Sequence, residues 1–157
     1  MNDHAALIDH ISRLSDNAED AAAGAGLAAA FINPDRIEIA QRVGRKLPVE
    51  WRDHFHLGLC FGCKARSLNN PEEFARDLAR TETAGQHAIR AAIDACDRIE
   101  QQIRAERGEE PYRRWRENVT RWMAEHIDYP LAGVKSESPE PLHPEPAHVY
   151  ARGGMGT

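Results

Sequence analysis

Residues Pro48-Val-Glu-Trp-Arg-Asp-His-Phe-His-Leu-Gly-Leu-Cys-Phe-Gly-Cys-Lys-Ala-Arg66 decide how this chain folds. Between 55 and 61 the stretch is apolar on nearly every side, as in a central helix surrounded by others. Phe55, Leu57, Leu59 and Phe61 also alternate with His56, Gly58, Cys60 and Gly62, which is the period of a strand. A lone strand leaves its edge groups unpaired, and the chain offers no second strand candidate, so the segment reads as a helix. Gly58 and Gly62 weaken that helix, which points to tight packing against a neighbour or to an early end.

Outward from this segment, proline marks the other helices. Four of nine prolines sit where a helix can begin, at Asn33-Pro34, Leu47-Pro48, Asn70-Pro71 and Glu110-Pro111. Asn33 and Asn70 suit the N-cap position, and Glu72 and Glu73 suit the positive end of the helix dipole. The expected helices are 4–31, 34–46, 48–66, 71–107 and 111–127. The first becomes Ala-rich over 18–30, where small residues admit a close neighbour, although Gly24 and Gly26 can also mark a break. The fourth carries Phe74, Leu78, Ile89, Ile93, Cys96, Ile99 and Ile103 on one stripe. Unbroken it would be about 55 Å long, so a break near Thr81–Gly85 is expected. The fifth is amphipathic, with Trp115, Val119, Trp122 and Met123 on its apolar face.

The remaining five prolines fall in 130–146, where Pro139-Glu-Pro-Leu-His143 and Pro144-Glu-Pro-Ala-His148 form a small repeat. Such a stretch is extended and cannot bury a core. The expected organisation is an all-α, compact bundle of about five helices over 1–129 with an extended Pro-rich tail over 130–157.

The length of 157 residues suits one domain with a real core, and no apolar run approaches the 18 residues of a membrane span. The N-terminus lacks the basic region of a secretory signal, and three Cys form no disulfide framework, so a cytoplasmic protein with reduced thiols is expected. The net charge of −5 is uneven: −5 over 1–35, +4 over 36–66, −4 over 67–111 and zero beyond. Arg36, Arg42, Arg45, Lys46, Arg52, Lys64 and Arg66 make the middle segment basic, but its acidic flanks oppose the broad positive field that nucleic-acid binding needs.

Any chemistry would sit at 54–63. In a helix, His56, Cys60 and Cys63 stand at i, i+4 and i+7 on one face; in a strand, His54, His56 and Cys60 share one. Imidazole and thiolate suit Zn or Cu, with His54, Asp53, His87 or Cys96 available as a fourth ligand. Against this, Cys is among the residues most often buried, and no second CxxC or spaced His pair accompanies the first. Cys60-Phe-Gly-Cys63 is also a candidate redox pair, but it falls near the end of its helix, where the dipole disfavours thiolate and Lys64 and Arg66 offset it in part. The pair resembles the CxxC of helical proteins of the carboxymuconolactone decarboxylase type. Those carry His four residues later, where this chain has Ser67, so the resemblance stops at the pair.

Ile39-Ala40, Val43-Gly44 and Leu47 echo a helix-turn-helix, with a second helix from Pro48. That second helix, however, carries Trp51, Phe55 and Leu57, which are core residues rather than groove readers. No catalytic set stands out and no cofactor is indicated beyond Zn or Cu. The sequence therefore points to a non-enzymatic helical interaction or accessory protein. It would bind a protein partner or a second copy of itself, not a membrane, with the tail as a docking arm. The alternative is a metal-binding or thiol-redox protein using His56, Cys60 and Cys63, and a DNA-binding regulator ranks third.

Overall fold

The 48–66 segment is helical from Val49 onward, with Pro48 as its extended N-cap, and lies at the centre of the protein. The computed structural model describes residues 4–127, which form seven α-helices and one 3₁₀ turn with no strand among them. They are α1 (His4–Ser12), α2 (Ala18–Ile32), α3 (Ile37–Arg45), α4 (Val49–Asn69), α5 (Pro71–Arg80), α6 (Thr83–Glu106) and α7 (Pro111–His126), with the 3₁₀ turn at Ser15–Asn17. In α4 every residue from Phe55 to Cys60 is buried, as are Gly62 and Cys63. The period-two alternation of large side chains therefore reflects burial on all sides and not a pleat. The expected tail over 130–157 lies outside the described residues.

Two core clusters flank α4. Leu59 and Cys63 meet Ala30, Ile37, Phe74, Leu78 and Ile89 on one side. Leu57 and Cys60 meet Ala92, Cys96, Ile103, Trp115, Val119 and Met123 on the other. Trp115 is tied down at both ends of its ring system: Nε1–H donates to the Cys96 carbonyl at 3.2 Å, and the ring lies edge-on to Phe61 at 4.7 Å. Helix α7 thereby returns antiparallel to α6.

The closest packing joins α2 and α4, which run parallel with α3 as the crossover. A Cβ on Gly26 would overlap the Phe55 carbonyl, and one on Gly58 would overlap the Ala23 carbonyl. Each helix thus presents a glycine to the other's backbone, which no larger residue would allow. Gly62 continues the seam, since a Cβ there would lie 2.6 Å from that of Ala30. Neither glycine of the Ala-rich stretch breaks α2, and Gly26 is the one that packs against α4.

The break in the first expected helix falls earlier, at Arg13–Asn17, where Leu14 leaves the helical region with φ −101 and ψ 37. Ser12, Ser15, Asp16 and Asn17 cluster there, and such residues favour turns over helix interiors. The expected break near Thr81–Gly85 is present: Thr81 and Glu82 are extended, and α3 holds them in place. The Thr81 hydroxyl accepts from Ile37 N–H at 3.3 Å, Glu38 accepts from Glu82 N–H at 3.4 Å, and the Gln41 amide donates to the Gly85 carbonyl at 3.3 Å. Five expected helices become seven through these two breaks.

Asn70 caps α5 as expected, its side chain accepting from Glu73 N–H at 3.3 Å. Asn33 does not cap α3. Asn33-Pro34-Asp35-Arg36 closes a turn, Arg36 N–H donating to the Asn33 carbonyl at 3.1 Å, and the helix starts at Ile37. Arg66 fastens α4 to its neighbours, donating to the carbonyls of Ala30 and Pro34 at 3.3 and 3.2 Å and pairing with Asp77 of α5.

Candidate functional site

Helix α4 carries all four residues singled out in the sequence, but its neighbours pull them apart. His54 faces α2, with Nε2 3.5 Å from the Glu19 carboxylate. His56 lies under α3, packed so tightly against Gly44 that a Cβ there would stand 2.6 Å from the imidazole Nε2. Burial, with the positive charges of Arg45 and Arg52, pushes its pKa down to about 3, so the ring is neutral at physiological pH. Cys63 belongs to the α2–α3–α5 cluster, where burial pushes its thiol up to about 12.

Cys60 faces the opposite way. Its Sγ lies 3.4 Å from Sγ of Cys96 on α6. The hydrogen bond to Cys96 and burial raise the Cys60 pKa, whereas the same hydrogen bond lowers that of Cys96. The motif Cys60-Phe-Gly-Cys63 is thus not the thiol pair of the fold. Cys96, placed by sequence on the apolar stripe of its helix, is indeed in the core, and nothing in the spacing showed which thiol it would meet.

The expected metal set of His56, Cys60 and Cys63, with His54, is not gathered around a point. Among the described residues no group of three or more His, Cys, Asp or Glu side chains could hold a metal ion. The positions at i, i+4 and i+7 do share one broad face of α4, but the side chains diverge into different inter-helix spaces. Helix α4 is likewise the buried centre of the bundle, with Phe55 and Leu57 in its core.

His56 and Cys60 do share one cavity of about 290 Å³, enclosed by α3, α4, α6 and α7. Arg45 stands on its wall, Leu59, Ile89, Ala92 and Met123 supply apolar surface, and no acidic residue among the described ones lines it. At the rim, Trp122 and His126 stack with ring centroids 4.4 Å apart and planes 9° from parallel. On the far side of the bundle, α2 exposes Leu27, Phe31 and Ile32 at 45, 54 and 64%. Sequence reasoning named α2 as a packing surface but not this outward face; the signal was the absence of any charge from Ala21 to Ile32.

Fold and site together define a helical protein with a central buried helix, a basic-walled cavity and an apolar outer face. No helix among the described residues is long and apolar enough to cross a membrane. The chain belongs to the family described as protein of unknown function (DUF1702), whose model matches residues 2–123. No curated protein and no solved structure matches it.

Proposed function

We propose that this chain is a non-enzymatic accessory protein that works by protein association, and that its first partner is a second copy of itself docked on the outward face of α2. The observation that carries this is the exposure of Leu27, Phe31 and Ile32 on a helix with no charge between Ala21 and Ile32. Surface helices normally turn charge toward water, and a contiguous apolar face marks an interaction site. Two copies of a chain with net charge −5 repel in general, but an isologous contact centred on Leu27, Phe31 and Ile32 sets uncharged side chains against each other. A charged partner surface would instead lose its hydration against Leu27, Phe31 and Ile32. The Pro-rich stretch 130–157, with Leu142, Val149 and Tyr150 as contacts, would serve the same role as a docking arm.

Sedimentation velocity over a concentration series tests the proposal. A reversible dimer in the unmodified chain, abolished by Phe31→Glu, is the expected result. A monomer at every concentration, or a dimer indifferent to Phe31→Glu, overturns it. A second reading, thiol chemistry, is favoured by the 3.4 Å approach of Cys60 and Cys96 and rests on that pair instead of Cys60 and Cys63.

A further inference from the structure

The basic segment 36–66 brings Arg45 to the cavity between α3, α4, α6 and α7. Arg45, half-buried on the cavity wall, makes no ion pair or hydrogen bond with any described residue. Most other half-buried cations are matched: Lys64 pairs with Asp97 at 2.5 Å, and Arg66 pairs with Asp77. Arg45 lines this cavity beside His56, and the charges of Arg45 and Arg52 both act on that ring. The opposite wall, from Leu59, Ile89, Ala92 and Met123, offers only apolar contact. A guanidinium with no counter-ion among the described residues, at the edge of an apolar cavity, is the arrangement that selects an anionic head on an apolar body.

We propose that this cavity binds a small carboxylate with an apolar body, the carboxylate on Arg45 beside His56 and the body against Leu59, Ile89, Ala92 and Met123. The volume of about 290 Å³ lies at the low end of the usual small-molecule range of about 300–1,000 Å³, so the ligand is a medium-chain or single-ring acid and not a long lipid. Trp122 and His126, stacked at the rim, close over the end of the body. The cavity lies apart from the outward face of α2, so ligand binding and self-association are separable.

The test is a titration of the full chain with sodium octanoate, followed by NMR signals of the His56 ring and the Trp122 indole, with 1-octanol as the uncharged control. Saturable shifts at both residues are expected, with octanol bound about tenfold more weakly, the effect of one lost charge-assisted contact. Arg45→Gln should weaken octanoate by a similar factor and leave octanol unchanged, and Arg45→Lys should recover part of the loss. Absence of saturation, equal binding of octanol and octanoate by the unmodified chain, or octanoate affinity unaffected by Arg45→Gln overturns the proposal. The comparison of the two probes needs no variant, so it stands even if Arg45→Gln fails to fold.

Discussion

Cys60 and Cys96 face each other across α4 and α6 with Sγ atoms 3.4 Å apart, while Cys63, in the same CxxC motif, points into the opposite core cluster. Proximity of sulfur atoms, not proximity in sequence, decides which thiols can join. On treatment with diamide, which takes up the two thiol hydrogens and becomes the hydrazine, the bond that forms is Cys60–Cys96. Peptide mapping after alkylation of the denatured protein checks this: Cys63 carries the alkyl group, and the crosslinked peptide pairs α4 with α6. Recovery of a Cys60–Cys63 bond instead would show that α4 does not hold its thiols as described.

The glycines of α2 separate into two kinds. A Cβ on Gly26 overlaps the backbone of α4, whereas one on Gly24 meets nothing within 4 Å. Gly26→Ala and Gly58→Ala should each cost about 3 kcal/mol, because backbone cannot move aside as a side chain can. Gly24→Ala should stabilise by about 0.5–1 kcal/mol through lower unfolded-state entropy. Urea unfolding followed by circular dichroism reads both, and a Gly26→Ala loss below about 1 kcal/mol would refute the close α2–α4 seam.

Stability should fall as the solution is acidified, and His56 is one cause. Its pKa is lowered from 6.5 in the unfolded chain to about 3 when folded, by burial and then by Arg45 of α3 and Arg52 of α4, with His126 of α7 across the same cavity. Below pH 6.5 the unfolded chain binds a proton that the folded one refuses, so this contribution is present above that pH and is lost as pH falls toward 3. The slope from this one group approaches about 1.4 kcal/mol per pH unit. Urea midpoints at pH 7 and pH 5 should show a smaller drop for His56→Gln than for the unmodified chain, and equal drops would contradict a neutral buried His56.

Much of the architecture is legible residue by residue. Pro71 behind Asn70, and Pro111, start helices where expected because a proline lacks only a donor that the first turn leaves unused. Pro34 misled by three residues, since Asn33 closes a turn instead of capping a helix. The site was harder to read. Spacing put His56, Cys60 and Cys63 on one face of α4, yet that face spans two inter-helix spaces, and α3, α5 and α6 divide it between them.

By itself, then, the sequence determined an all-α bundle around the 48–66 helix, a break near Thr81 and close packing wherever glycine and alanine concentrate. These follow from local properties: hydrophobic period, capping and the steric demand of each residue. Only the tertiary structure decided that Cys60 meets Cys96, that His56 lies neutral beneath Gly44, and that Arg45 reaches the wall of a cavity without a counter-ion among the described residues. Helical periodicity fixes the direction a side chain takes from its own axis, but the helix it meets there depends on contacts between residues far apart in the chain.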